Sequence, residues 1–132
     1  MFKTLYFEDD PDKLWAVSNV LERIGIQAEH AADLQSGFQK WEEATAAGRP
    51  YELILTDMQF PLTPAGPVCV DAGMRVIARL REKQDPVPVI VCSSVPYRVP
   101  DIHGCIWYSG LQPWQSDLLR LIQTVKQRKE EP

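Results

Sequence analysis

Glu8, Asp9 and Asp10 close one apolar run of the chain, a solitary Asp57 closes another, and the adjacent hydroxyls Ser93 and Ser94 close a third. Asp and Ser are ordinary turn and helix-cap residues, so no one of these positions is informative alone. Their coincidence is informative: if the three runs are neighbouring parallel strands, these side chains meet at one edge of a sheet. Carboxylates gathered in that way repel one another unless a cation lies among them, and an all-oxygen donor set selects a hard divalent ion. Mg2+, with Mn2+ as its substitute, suits such a site because it takes few carboxylates and keeps its other positions for water and phosphate oxygens. A metal held in this way would attract phosphate to the site.

The elements that must position these residues follow from hydrophobic period. Residues 3–7, 26–31, 51–56, 87–92 and 105–108 are strand-like, and the run at 87–92 is nearly unbroken, as a central parallel strand buried on both faces should be. Asp10 and Pro11 supply a cap and a first-turn proline for a helix carrying Leu14, Val17, Leu21 and Ile24, which Gly25 ends. Asp33 caps a second helix lined by Leu34, Phe38, Trp41 and Thr45, ended by Gly48, Arg49 and Pro50. Helices are also predicted over 72–83, burying Val76, Ile77 and Leu80, and over 114–128, with Leu118, Leu119, Ile122 and Val125 inward. Residues 61–70 hold three prolines and a glycine and predict an irregular loop, and Pro96 and Pro100 forbid a regular helix between 93 and 104. Strands alternating with helices imply a doubly wound α/β sheet with parallel pairing through right-handed crossovers, whose site lies at the carboxyl ends of the strands.

Almost the whole chain resembles the receiver domain of two-component response regulators. TLYFEDDPDKL is similar to that family's first strand and acidic pair, LILTDMQFP to its phosphoacceptor strand, VPVIVCSS to the strand that ends in a hydroxyl, and GCIWYSGLQPW to its last strand. The resemblance implies a flavodoxin-like five-stranded sheet of order 2-1-3-4-5, with a single receiver domain over 1–129 and a tail at 130–132. It makes Asp57 the phosphoacceptor, gives Glu8, Asp9, Asp57 and the backbone carbonyl of Gln59 to the metal, leaves Asp10 as the helix cap, and assigns switching to Ser93 and Tyr108. It further implies a histidine kinase or phosphotransfer protein, or a small phosphodonor, as the source of the phosphoryl group in a phosphorelay. A downstream protein or separate output domain would read the change. No enzymatic turnover is expected beyond self-phosphorylation and autodephosphorylation.

Three features depart from the family pattern. The lysine that precedes a proline after the last strand is missing, its place falling on Gln112 before Pro113 or, one residue earlier, on Leu111. Losing such a charge-assisted bond removes about 1.5–3 kcal/mol; Arg98 is a candidate substitute, the alternative being an exposed loop arginine. An insertion around 62–70 borders the site and either gates it or binds a partner, or is a neutral surface loop. The fourth helix is absent, so the dimer face used by many receivers does not carry over. Trp107 and Trp114 flank this altered region as a partner patch or as core.

Bulk properties narrow the rest. The 132 residues suit one domain, and 45% hydrophobic with 24% charged residues is ordinary for a globular chain. No apolar run approaches the roughly 20 residues of a membrane helix, and the N-terminus turns acidic where a signal peptide stays apolar. A net charge of -4 with dispersed cations argues against nucleic acid, the one dense cluster being Lys126, Arg128 and Lys129 at a helix end. Cys69, Cys92 and Cys105, with no CxxC or Cys/His spacing, suggest buried thiols in a reducing cytoplasm, and His30 and His103 have no companion ligands.

A second reading is a pseudo-receiver, a binding module that keeps the fold and works without phosphorylation. The missing lysine and helix favour it; the acidic pair, Asp57 and Ser93 oppose it. A phosphohydrolase is disfavoured because DMQF lacks a second acid two residues after the nucleophile, and a flavin site because no phosphate loop follows the first strand.

Overall fold

Alternation within the strands explains the layering. In β1 (Thr4–Phe7) and β3 (Leu53–Thr56) every residue is buried, and successive side chains go to opposite faces. Leu5, Phe7 and Ile54 enter one core, while Tyr6, Leu53 and Leu55 enter the other. β6 (Val89–Ser93) is buried throughout in the same way, Val89 and Val91 facing the first core and Ile90 and Cys92 the second. These are the two-sided strands of a parallel sheet with helices on both faces.

The computed structural model describes residues 2–130. With β2 (Glu29–Ala31) and β7 (Gly104–Trp107) at the edges, the sheet has order β2-β1-β3-β6-β7, all neighbours parallel. Counting only these five strands, this is the expected 2-1-3-4-5. Helices α1 (Pro11–Glu22) and α4 (Trp114–Glu130) cover one face through Val17, Val20, Leu21, Leu118, Ile122 and Val125. Helices α2 (Leu34–Ala46) and α3 (Ala72–Glu82) cover the other through Phe38, Trp41, Val76 and Leu80. Glu130, the first residue of the expected tail at 130–132, belongs to α4, and the other two lie outside the described residues.

Caps fall where the sequence placed them. The Asp10 carboxylate accepts from the Asp12 amide at 3.0 Å, Pro11 opens α1, and Gly25 takes φ +77° beyond its end, a conformation a side chain disfavours. The Asp33 carboxylate likewise accepts from the Ser36 amide at 2.7 Å. Strand starts were placed up to three residues too early at β2, because extended lead-in residues share strand composition without ladder partners.

Three readings need correction. On α2 it is Ala44 that is buried and Thr45 that is exposed, the stripe following the true helical pitch. On α1 the expected Val17 and Leu21 are fully buried and Leu14 and Ile24 only partly so, while Lys13 and Val20 join the buried face, which thus includes a lysine. The 61–70 segment contains a short antiparallel hairpin of β4 (Phe60–Pro61) and β5 (Val68–Cys69), Phe60 opposite Cys69 and Pro61 opposite Val68. Proline is tolerated there because an isolated two-stranded ribbon is all edge. The hairpin is tied to α2 by the Gln35 amide, which donates to the Leu62 carbonyl at 3.0 Å.

Between β6 and β7 no helix forms, as Pro96 and Pro100 required. Tyr97, Val99 and Ile102 of this crossover pack instead on the α2/α3 core.

Candidate functional site

The ends of β1 and β3 set the site. The Glu8 amide donates to the Ala31 carbonyl and the Asp57 amide to the Phe7 carbonyl, both at 3.0 Å, so the ladder continues one step past the strands and fixes where each acid leaves the sheet. Carboxylate oxygens of Glu8, Asp9 and Asp57 come within 4.8 Å of one another. Glu8 is fully buried, Asp57 half-buried and Asp9 exposed, so the hollow opens to solvent on the Asp9 side.

Glu8 is firmly held. Its Oε1 accepts from the Tyr6 hydroxyl at 3.0 Å, its Oε2 accepts weakly from the Asp10 amide at 3.3 Å, and a ring nitrogen of His30 meets its backbone carbonyl at 2.7 Å. Burial pushes the Glu8 carboxyl up to about 7, with Asp57 adding to the rise and a neighbouring ammonium opposing it. Burial followed by the charges of Asp57 and Asp10 also raises Asp9. Glu8 and Asp9, both pushed toward the neutral form, would be ionised more readily with a divalent cation between them.

That ammonium belongs to Lys13, in the first turn of α1 and only 3% exposed. Its Nζ lies 3.0 Å from Glu8 Oε1 and 3.1 Å from Asp57 Oδ1, and donates to the Cys92 carbonyl at 2.6 Å. Tyr108 covers it, with the ring centroid 5.7 Å from Nζ. Burial works to lower the Lys13 pKa, but Glu8 and Asp57 together outweigh it and the net shift is upward. Asp57 Oδ1 also accepts from the Met58 amide at 2.7 Å, so these two donors share one oxygen and Oδ2 is left for chemistry.

No family model and no curated protein matches this sequence. Solved structures do. The signal receiver domain of an HD domain-containing protein from Pseudomonas fluorescens Pf-5 aligns with TM-score 0.71 at 15% identity, covering 96% of this chain and 94% of that one. The chemotaxis response regulator CheY4 of Vibrio cholerae aligns with TM-score 0.68 at 20% identity, over 95% of this chain and 98% of that one. The response regulator protein TrrA from Thermotoga maritima, in complex with Mg(2+)-BeF, aligns with TM-score 0.66 at 16% identity, over 92% and 99%. This chain has the receiver-domain fold.

Onto that receiver fold the remaining predicted residues distribute unevenly. Ser93 ends β6, 4% exposed, and its hydroxyl accepts from the Val95 amide at 3.2 Å. The register pairs Thr56 with Val91, which sets Asp57 level with Cys92 and Ser93 one residue further on. Gln59 is exposed at the root of the hairpin. Tyr108 packs against Trp114 at 4.9 Å between ring centroids, on the α1/α4 face and over Lys13. Its neighbour Trp107 points to the other face, where its Nε1–H donates to the Ser94 carbonyl at 3.0 Å. Trp107 thus joins β7 to the loop after Ser93, next to Tyr108, the residue to which the resemblance assigns switching.

Gln112 and Leu111 are both exposed, Leu111 at 87%, and Arg98 is an exposed loop residue. Among the described residues, the ion pairs to Glu8 and Asp57 come from Lys13 and not from Arg98. Lys13 is the site residue that sequence reasoning missed. Its signal was its phase, four residues before Val17 and eight before Leu21 on the buried stripe. His103 bonds Leu121 and Thr124, and burial pushes the Cys92 thiol up to about 12, leaving both outside the chemistry.

Proposed function

We propose that this chain is a signalling receiver that takes a phosphoryl group onto Asp57. The observation that carries the reading is the convergence of Glu8, Asp9 and Asp57 within 4.8 Å at the carboxyl ends of adjacent strands, with Asp57 half-buried between the fully buried Glu8 and the exposed Asp9. Asp57 Oδ2 attacks the phosphorus of a phosphohistidine or of a small acyl phosphate. The phosphorus–nitrogen or phosphorus–oxygen bond of the donor breaks, its electron pair returns to the donor, and an aspartyl phosphate remains. Water ends this state by attacking phosphorus: the bond from phosphorus to Oδ2 breaks, its electron pair returns to the Asp57 carboxylate, and inorganic phosphate leaves with the water oxygen.

Glu8, Asp9, Asp57 and the Gln59 carbonyl are the groups that would hold Mg2+ or Mn2+, which when bound supplies positive charge for the phosphoryl oxygens. The rest is done by fixed protein groups. The Met58 amide and Lys13 keep Oδ1 in place and so orient Oδ2, while Tyr6 and His30 hold Glu8. After transfer the Ser93 hydroxyl, whose proton is not engaged by the Val95 bond, donates to a phosphoryl oxygen. That draws on the 94–103 crossover, and through Trp107 on β7, so a local charge becomes a change of interaction surface.

The partners that fit are a histidine kinase or phosphotransfer protein upstream and a protein or output domain downstream, acting in the cytoplasm. TrrA is also known in complex with the histidine kinase ThkA, which supports the kinase assignment. No catalysis on other substrates is proposed.

The test is incubation with Mg2+ and acetyl phosphate, followed by intact mass. Wild type should gain one phosphoryl group and Asp57→Asn none. Identical behaviour of the two would establish the second reading, a phosphorylation-independent binding module. One observation favours that alternative: the Lys13 ammonium already pairs with both Glu8 and Asp57.

A further inference from the structure

Lys13 occupies a costly position. An ammonium group is nearly excluded from water there, in the first turn of a helix whose dipole repels it, at a place on the stripe where an apolar side chain would pack without penalty. What it obtains is three acceptors around Nζ: Glu8 Oε1 at 3.0 Å, Asp57 Oδ1 at 3.1 Å and the Cys92 carbonyl at 2.6 Å. Two of those belong to the carboxylates that also define the metal hollow.

Two consequences follow. A phosphoryl group on Asp57 Oδ2 stands on the same carboxylate whose other oxygen already touches Nζ, so one torsional adjustment of a four-carbon stem brings the ammonium to a phosphoryl oxygen while α1 stays still. A divalent ion entering the hollow draws on Glu8 and Asp57 oxygens that Lys13 already engages, so the two cations oppose each other before transfer and share the anion after it. We propose that Lys13 is the fixed cation of this site, holding the phosphoryl oxygens on Asp57 after transfer and competing with the divalent ion for Glu8 and Asp57 before it. The proposal rests on the phosphoacceptor reading above, and it supplies from α1 the positive charge that Gln112 and Leu111 lack.

The experiment compares wild type with Lys13→Met and Lys13→Gln in two titrations: Mn2+ alone, followed by electron paramagnetic resonance, and beryllofluoride at saturating Mg2+, followed by fluorine NMR. Removing the ammonium should move the two in opposite directions. Mn2+ should bind about tenfold tighter and beryllofluoride about tenfold more weakly, the worth of one charge-assisted bond. Lys13→Arg should keep most of the beryllofluoride binding. A merely structural lysine predicts losses in both titrations together with a lower unfolding midpoint, and that result overturns the proposal. So does loss of folding in both neutral variants, or an unchanged value in either titration. If wild type binds no beryllofluoride, the phosphoacceptor reading fails and with it the phosphate-holding role, and the Mn2+ titration then decides the competition with metal independently.

Discussion

Trp107 reaches across from β7 to donate its indole N–H to the Ser94 carbonyl at 3.0 Å, tying the edge strand to the first residue beyond the buried Ser93 hydroxyl. This is a direct mechanical link between the residue that would sense a phosphoryl group and the rim of the sheet. Adding Mg2+ and beryllofluoride should therefore change tryptophan fluorescence. In Trp107→Phe the fluorine NMR signal of the adduct should persist while most of the fluorescence change disappears; an undiminished change would place the reporter at Trp15, Trp41 or Trp114.

Ser93→Ala removes the acceptor of the Val95 amide. The expected loss is about 1 kcal/mol in urea unfolding. The larger effect should be on coupling, with adduct still forming on Asp57 but the spectroscopic response reduced. A response as large as wild type would show that the hydroxyl is a loop staple and nothing more.

Gly73, in the first turn of α3, lies against the backbone of Asp57 and Met58. Its amide donates to the Met58 carbonyl at 2.9 Å, and a Cβ there would lie 2.5 Å from the Asp57 carbonyl oxygen and 3.0 Å from Met58 Cα. Both obstacles are backbone and cannot rotate away. Gly73→Ala should cost about 1–3 kcal/mol by overpacking and lower adduct yield by shifting the peptide that aims Asp57. Unchanged denaturation midpoint and yield would mean that α3 can slide without consequence.

Burial, reinforced by Asp57 and opposed by Lys13, holds the Glu8 carboxyl at about 7. A carboxyl raised in the folded state binds its proton more tightly there than in the unfolded chain, so its contribution favours folding in acid and is lost as pH rises through about 7. Urea midpoints measured between about pH 5 and pH 8 should fall for wild type and stay flatter for Glu8→Gln. Divalent metal, which selects the ionised form, should offset the decline. A wild-type midpoint that climbs over that interval would contradict the assigned environment of Glu8.

Much of this was legible in the sequence because local and global signals agree. The caps at Asp10 and Asp33, the stop at Gly25 and the unbroken apolar run of β6 each have a local cause that the tertiary structure leaves intact. Glu8, Asp9 and Asp57 could be assembled because parallel strands must put their carboxyl ends together. The β4–β5 hairpin was hidden by Pro61, Pro64 and Pro67, which signal loop without showing that an edge ribbon tolerates them. Lys13 was hidden by its type: a lysine near the start of a helix is expected in water, and only the meeting of α1 with the ends of β1, β3 and β6 gives its ammonium three partners.

The crossover that replaces a helix between β6 and β7 has one more implication. Tyr97, Val99 and Ile102 shield that part of the sheet with side chains hung on irregular backbone, which lacks the cooperative ladder a helix would give. Deuterium should accordingly enter the domain from this flank, labelling the 94–103 amides and then β7 well before β1 or β3. The most permeable wall of the molecule is thus the one that stands next to Ser93.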